Sequence, residues 1–112
     1  MSTTGTVRSI NADWHACQIP VKEWTPDDAE YYATTQVCSL RSAHHYIVHA
    51  ARIEAGLAVL EAQAAASCSA YYRARMAESL RASISNRLYA EAAYARYATI
   101  DRMLAAYAAR SV

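Results

Sequence analysis

The chain has 112 residues, enough for one domain with a modest core. Its net charge of +1 excludes a global field that would draw it to nucleic acid or to a membrane surface, and two glycines nearly exclude a glycine-rich phosphate loop. Cys17, Cys38 and Cys68 show no disulfide-framework spacing, the N-terminus lacks a basic and apolar leader pattern, and no apolar stretch reaches the ~20 residues of a membrane span. A reducing, cytoplasmic setting is therefore expected.

Residues 1–24 read as an irregular N-terminal arm. Val7, Ile10, Trp14, Ile19, Val21 and Trp24 punctuate polar residues, and a short strand or hairpin around 7–10 and 17–22 is weakly indicated. The arm is expected to lay Trp14 and Trp24 onto the rest of the chain. The alternative is that this arm is an exposed recognition element, since tryptophan is favoured at interaction hot spots.

Residues 25–112 read as an all-α domain. Thr25-Pro26-Asp27-Asp28 is a helix start: a hydroxyl cap, a proline at the first helical position, and acids where the helix dipole is positive. Trp24, just before the cap, is placed to act as a hydrophobic staple. From there to Arg110 the chain has one glycine, Gly56, and no proline. The first apolar stripe is Ala33, Val37, Leu40, His44, Ile47 and Ala51; a second, Ala50, Ile53, Leu57, Leu60 and Ala64, is rotated away from it. Continuity to about residue 66 is favoured, with Gly56 costing ~1 kcal/mol or marking a close helix crossing. Ser67-Cys68-Ser69 is the expected turn. The returning helix carries Tyr72, Met76, Leu80, Ile84 and Leu88, then Tyr89, Ala93, Tyr97, Ile100, Leu104 and Tyr107. The architecture predicted is an antiparallel hairpin of two long helices, with a three-helix bundle broken near Gly56 and Ser85 as the alternative. Alanine favours helix but adds little buried area, so the helices must pack closely, and a homodimer would enlarge the core.

Few constellations carry chemistry. Cys38, His45 and His49 share a helix face, and the His45-x-x-x-His49 spacing lets two imidazoles reach one ion, with His15 or Cys17 available to complete a site. The carboxylate that a catalytic zinc helix adds is missing, and Glu-x-x-His does not occur. No cofactor is predicted, and no nucleophile sits in a recognisable catalytic pattern, so the chain is not expected to be an enzyme.

Charge and aromatic content point elsewhere. Residues 1–68 carry four basic side chains against seven acidic ones, and residues 69–112 carry seven against three. There are nine tyrosines and no phenylalanine. Tyr71-Tyr72-Arg73-Ala74-Arg75 interleaves the two residue types that dominate binding surfaces, and Arg81 follows two turns on. Tyr71, Tyr72, Arg73, Arg75 and Arg81, with Trp14 and Trp24, are the candidate partner-binding residues. A protein partner is favoured over nucleic acid because net charge is near zero.

In outline, a helical hairpin carrying Tyr97-x-x-x-Asp101 resembles the secreted WXG-type hairpins, but no Trp-x-Gly stands at the expected turn. The function expected is that of a small non-catalytic helical protein that binds and occludes another macromolecule. Small bacterial and phage accessory inhibitors, anti-CRISPR proteins among them, share this profile. The alternatives are a metal-binding bundle and a nucleic-acid-binding helical protein.

Overall fold

A computed structural model describes residues 3–67 and 70–110, with side chains from residue 7 onward. The order is α1 (Thr3–Ala16), a 3-10 turn (Val21–Glu23), α2 (Pro26–Ser67) and α3 (Ala70–Arg110). α2 and α3 form an antiparallel hairpin, and no strand occurs among the described residues. The molecule is a rod of 67 × 24 × 16 Å.

The start of α2 follows from its sequence. The Thr25 amide donates to Asp28 Oδ2 at 2.8 Å, and the Asp28 amide donates back to Thr25 Oγ1 at 3.3 Å. That reciprocal pair satisfies donors the helix leaves free. Ala29, in the first turn, packs against the cluster that Trp24 forms with Tyr32 and Ile100, at the position a staple uses. α2 ends at Ser67 and α3 begins at Ala70; of the expected turn Ser67-Cys68-Ser69, Cys68 and Ser69 lie outside the described residues.

Neither long helix breaks. Gly56 is helical, and a Cβ added there would meet nothing within 4 Å, so it marks no close crossing. At the other suspected break, Asn86 Nδ2 donates to the Ala82 carbonyl one turn back, at 2.8 Å. Ser83 Oγ donates across the hairpin to Glu54 Oε1, also at 2.8 Å. With those bonds the polar side chains are satisfied inside a continuous helix rather than capping a new one.

The inward seam alternates steps of four and three. On α2 it runs Tyr32, Gln36, Ser39, Ala43, Tyr46, Ala50, Ile53, Leu57, Leu60 and Ala64, all buried or half-buried. On α3 it runs Tyr72, Met76, Ser79, Ser83, Asn86, Ala90, Ala93, Tyr97, Ile100, Leu104 and Tyr107, likewise covered. This is a heptad repeat in both helices. Cross-links fix the register: Gln36 Nε2 donates to Asp101 Oδ1 at 3.1 Å, Tyr46 lies 5.4 Å from Tyr89, and Glu54 meets Arg87. Alanine and serine fill the middle of the seam, which lets the two backbones approach and keeps the rod thin.

This seam corrects one sequence expectation. The stripe Ala33, Val37, Leu40, His44, Ile47 and Ala51 stands one position beyond the true seam, about 100° round the helix. Val37 and Leu40 are exposed. The second stripe, extended backwards in heptads, is the real core face.

The arm is also corrected. Residues 3–16 are helical rather than irregular. α1 packs on α3. Its anchor is Asn11, 1% exposed, whose Nδ2 donates to the Ala92 carbonyl at 2.9 Å while Oδ1 accepts from Arg96 at 3.1 Å. Val7, Asn11 and Trp14 lie at helical spacing, but one polar anchor among two apolar residues gives a weak periodic signal. The linker is tied down by Trp24, which stacks on Tyr32 at 4.4 Å and donates from Nε1 to the Ile19 carbonyl at 2.8 Å. Arg110 closes this end, donating to the carbonyls of Val21 and Trp24 at 2.8 and 2.7 Å.

Candidate interaction surfaces

The predicted partner-binding residues do not form one site. Trp24 is 3% exposed and forms the core of the arm end with Tyr32 and Ile100; Trp14 packs against the same cluster. Trp24 has little area left for a partner, whereas Trp14 is half-buried. Tyr71, Tyr72, Arg73 and Arg75 sit at the start of α3, a helix length away, about 60 Å. There Tyr71 is exposed and Tyr72 is half-buried in the seam, its ring 5.3 Å from Tyr71. Arg75 donates to the Tyr71 hydroxyl at 3.3 Å and lies 5.9 Å from its ring. Arg73 and Arg81 project about 80° apart, while Arg75 points to the opposite side of the helix. The three arginines therefore share no patch.

The metal candidates also stay apart. The His45 and His49 rings lie parallel with centroids 6.3 Å apart, on the outward side of α2. His15 and Cys17 are not grouped with them among the described residues. Among the described residues no three His, Cys, Asp or Glu side chains are grouped to hold a metal ion. Cys17 and Cys38 are exposed free thiols.

What the sequence reading missed is the apolar character of one broad side of the hairpin. In an antiparallel pair the residue just past each inward position projects to the same side on both helices. There α2 presents Val37, Leu40 and Ile47, and α3 presents Leu80, Ile84 and Tyr94. Val37, Leu40, Leu80, Ile84 and Tyr94 are 50%, 42%, 52%, 52% and 40% exposed. Two shallow hollows open on this side. One, about 240 Å³, is lined by Ile47, Arg87, Ala90, Glu91 and Tyr94; the other, about 260 Å³, by Leu57, Glu61, Met76, Ala77 and Leu80. The Glu54–Arg87 pair lies between them, with Glu54 held down at about 2 by the hydrogen bonds from Arg87 and Ser83. The signal was present in the sequence, as the displaced stripe on α2 and as Leu80 and Ile84, one turn apart on α3.

A groove of about 610 Å³ between α1 and α3 is lined by Arg8 and His15 from α1 and by Glu91 and Arg102 from α3. It mixes both signs of charge and offers no converging nucleophile. No helix among the described residues is long and apolar enough to cross a membrane. No family model, curated protein or solved structure matches the chain, so geometry carries the functional argument.

Proposed function

We propose that this chain is a non-catalytic helical interaction protein that works as a homodimer and covers a protein partner. The observation that supports this is the row of large apolar side chains on one side of the rod: Val37, Leu40, Leu80, Ile84 and Tyr94. A helix with two apolar stripes about 100° apart is built to pack against two neighbours, and each hairpin supplies only one.

A second copy fits this side. Val37, Leu40 and Tyr94 lie toward the arm end, Leu80 and Ile84 toward the turn. A twofold axis across the middle of the rod sets each cluster on the other and makes a four-helix bundle. A stable interface needs about 800 Å² from each partner, well within one broad side of a 67 × 24 Å rod. The surfaces left outward are polar and tyrosine-bearing, the character of faces that cover another protein. The profile of small bacterial and phage inhibitors, anti-CRISPR proteins included, fits a binder of this size.

Light scattering tests the dimer directly. The expected mass is twice the 12.3 kDa of the chain, and Val37→Glu with Ile84→Glu should halve it without loss of helix content. A wild-type chain that stays monomeric at high concentration overturns the dimer.

A further inference from the structure

The groove between α1 and α3 has the size of a small-molecule site: about 610 Å³, within the range of roughly 300–1,000 Å³ such sites occupy. Asn11 holds its two walls together through the Ala92 carbonyl and Arg96. Three residues further along α1, Trp14 packs against the cluster that contains Ile100. α1 therefore advances along α3 in the same direction, toward the arm end.

That direction sorts the lining by height. Arg8 of α1 and Glu91 of α3 belong to the end nearer the turn, where one cation and one anion offset each other. Ala95 and Ala98 line the middle with methyl groups. His15, Thr99 and Arg102 belong to the arm end. Eleven residues of helix, about 16 Å, separate Glu91 from Arg102.

The arm end is cationic and uncompensated. Thr99 Oγ1 donates to the Ala95 carbonyl at 2.9 Å and accepts from Arg102 Nη2 at 3.2 Å, which orients the guanidinium. Arg102 forms no ion pair among the described residues. No carboxylate other than Glu91 lines the groove. Asp101 is turned to the hairpin, where it accepts from Gln36. Asp13, two positions beyond Asn11, projects about 200° from the face of α1 that meets α3.

We infer that this groove binds a small carboxylate with an apolar body, its head on Arg102 and His15 and its body along Ala98 and Ala95. A guanidinium presents a fork of N–H donors that matches two carboxylate oxygens, and an imidazole adds an N–H donor in either tautomer. The alanines leave space that larger side chains would fill. Glu91 at the far end repels a second anionic group, which selects one charged head and an uncharged tail. The site is separate from the apolar side of the hairpin and depends on neither the dimer nor a protein partner.

The test titrates the full-length, isotope-labelled chain with decanoate and follows backbone amide shifts by NMR. Saturable shifts should centre on residues 7–15 and 91–102. Arg102→Gln should weaken binding about tenfold, the loss of one charged hydrogen-bonding group. Arg8→Gln should change it less than about twofold, as a solvent-screened charge at the far end does. Ala98→Trp should fill the groove and remove saturable binding. Arg102 and Ala98 are exposed, so circular dichroism should report unchanged helix content. Val37→Glu with Ile84→Glu, the dimer-breaking pair, should leave the affinity unchanged, so failure of the groove and failure of the dimer are distinguishable. Absence of saturable shifts, or loss of binding in that pair, overturns the inference. So does decanol binding as tightly as decanoate, which would make the head irrelevant. Inorganic phosphate binding as tightly would do the same for the body. An Arg8→Gln loss equal to that of Arg102→Gln would remove the assigned polarity and overturn it too.

Discussion

Glu54 and Arg87 join the two long helices through a bidentate pair, Nε to Oε1 at 2.7 Å and Nη2 to Oε2 at 2.6 Å. Ser83, itself buried, donates a third bond to Oε1. A carboxylate that accepts three hydrogen bonds is favoured in its charged form, which is why Glu54 is lowered from 4.5 to about 2. The pair lies midway along the rod, where alanine, serine and asparagine leave the seam short of apolar area.

Stability should therefore depend on acid in a defined window. A depressed carboxylate contributes fully above its unfolded value of 4.5 and loses that contribution as pH falls toward about 2. Thermal melts between about pH 5 and 2.5 should show a smaller fall for Glu54→Gln than for the wild type. Equal falls would mean that the pair has no linkage to folding.

Trp24→Ala should be the most damaging single change at the arm end. The indole stacks on Tyr32, contacts Tyr107 at 5.7 Å and holds the Ile19 carbonyl. Emptying that site should cost ~3–5 kcal/mol in urea unfolding. A cost under ~1 kcal/mol would place the arm off the folded core.

Asn11→Ala tests how α1 is held. The substitution removes both the bond to the Ala92 carbonyl and the one from Arg96, at a buried position. It should cost ~1–3 kcal/mol and expose residues 3–16 to limited proteolysis while α2 and α3 stay intact. Unchanged cleavage of the arm would mean that apolar contacts alone anchor it.

Gly56→Ala should stabilise the protein. Gly56 is exposed within a continuous helix, and an added methyl group meets open space. The gain should be ~1 kcal/mol, or about 4–8 °C in Tm. A lower Tm would show that another molecule approaches the backbone there.

The sequence by itself determined the elements that depend on local forces. Thr25 with Asp28 set the start of α2, and the alanine-rich run without proline set its continuity to Ser67. The nearly equal arms set the hairpin. It also located the tryptophans on the body, since rings of that size before a helix cap need cover. Only the tertiary structure decided which apolar stripe is the core. Val37 and Leu40 look like better seam residues than Ser39 and Ala43, yet they face outward. Close approach of two helices selects small side chains, so hydrophobicity ranks the stripes in the wrong order. Likewise, the helicity of residues 3–16 rests on Asn11 bonding an α3 carbonyl and accepting from Arg96. That contact lies more than eighty residues along the chain, where no local pattern can register it.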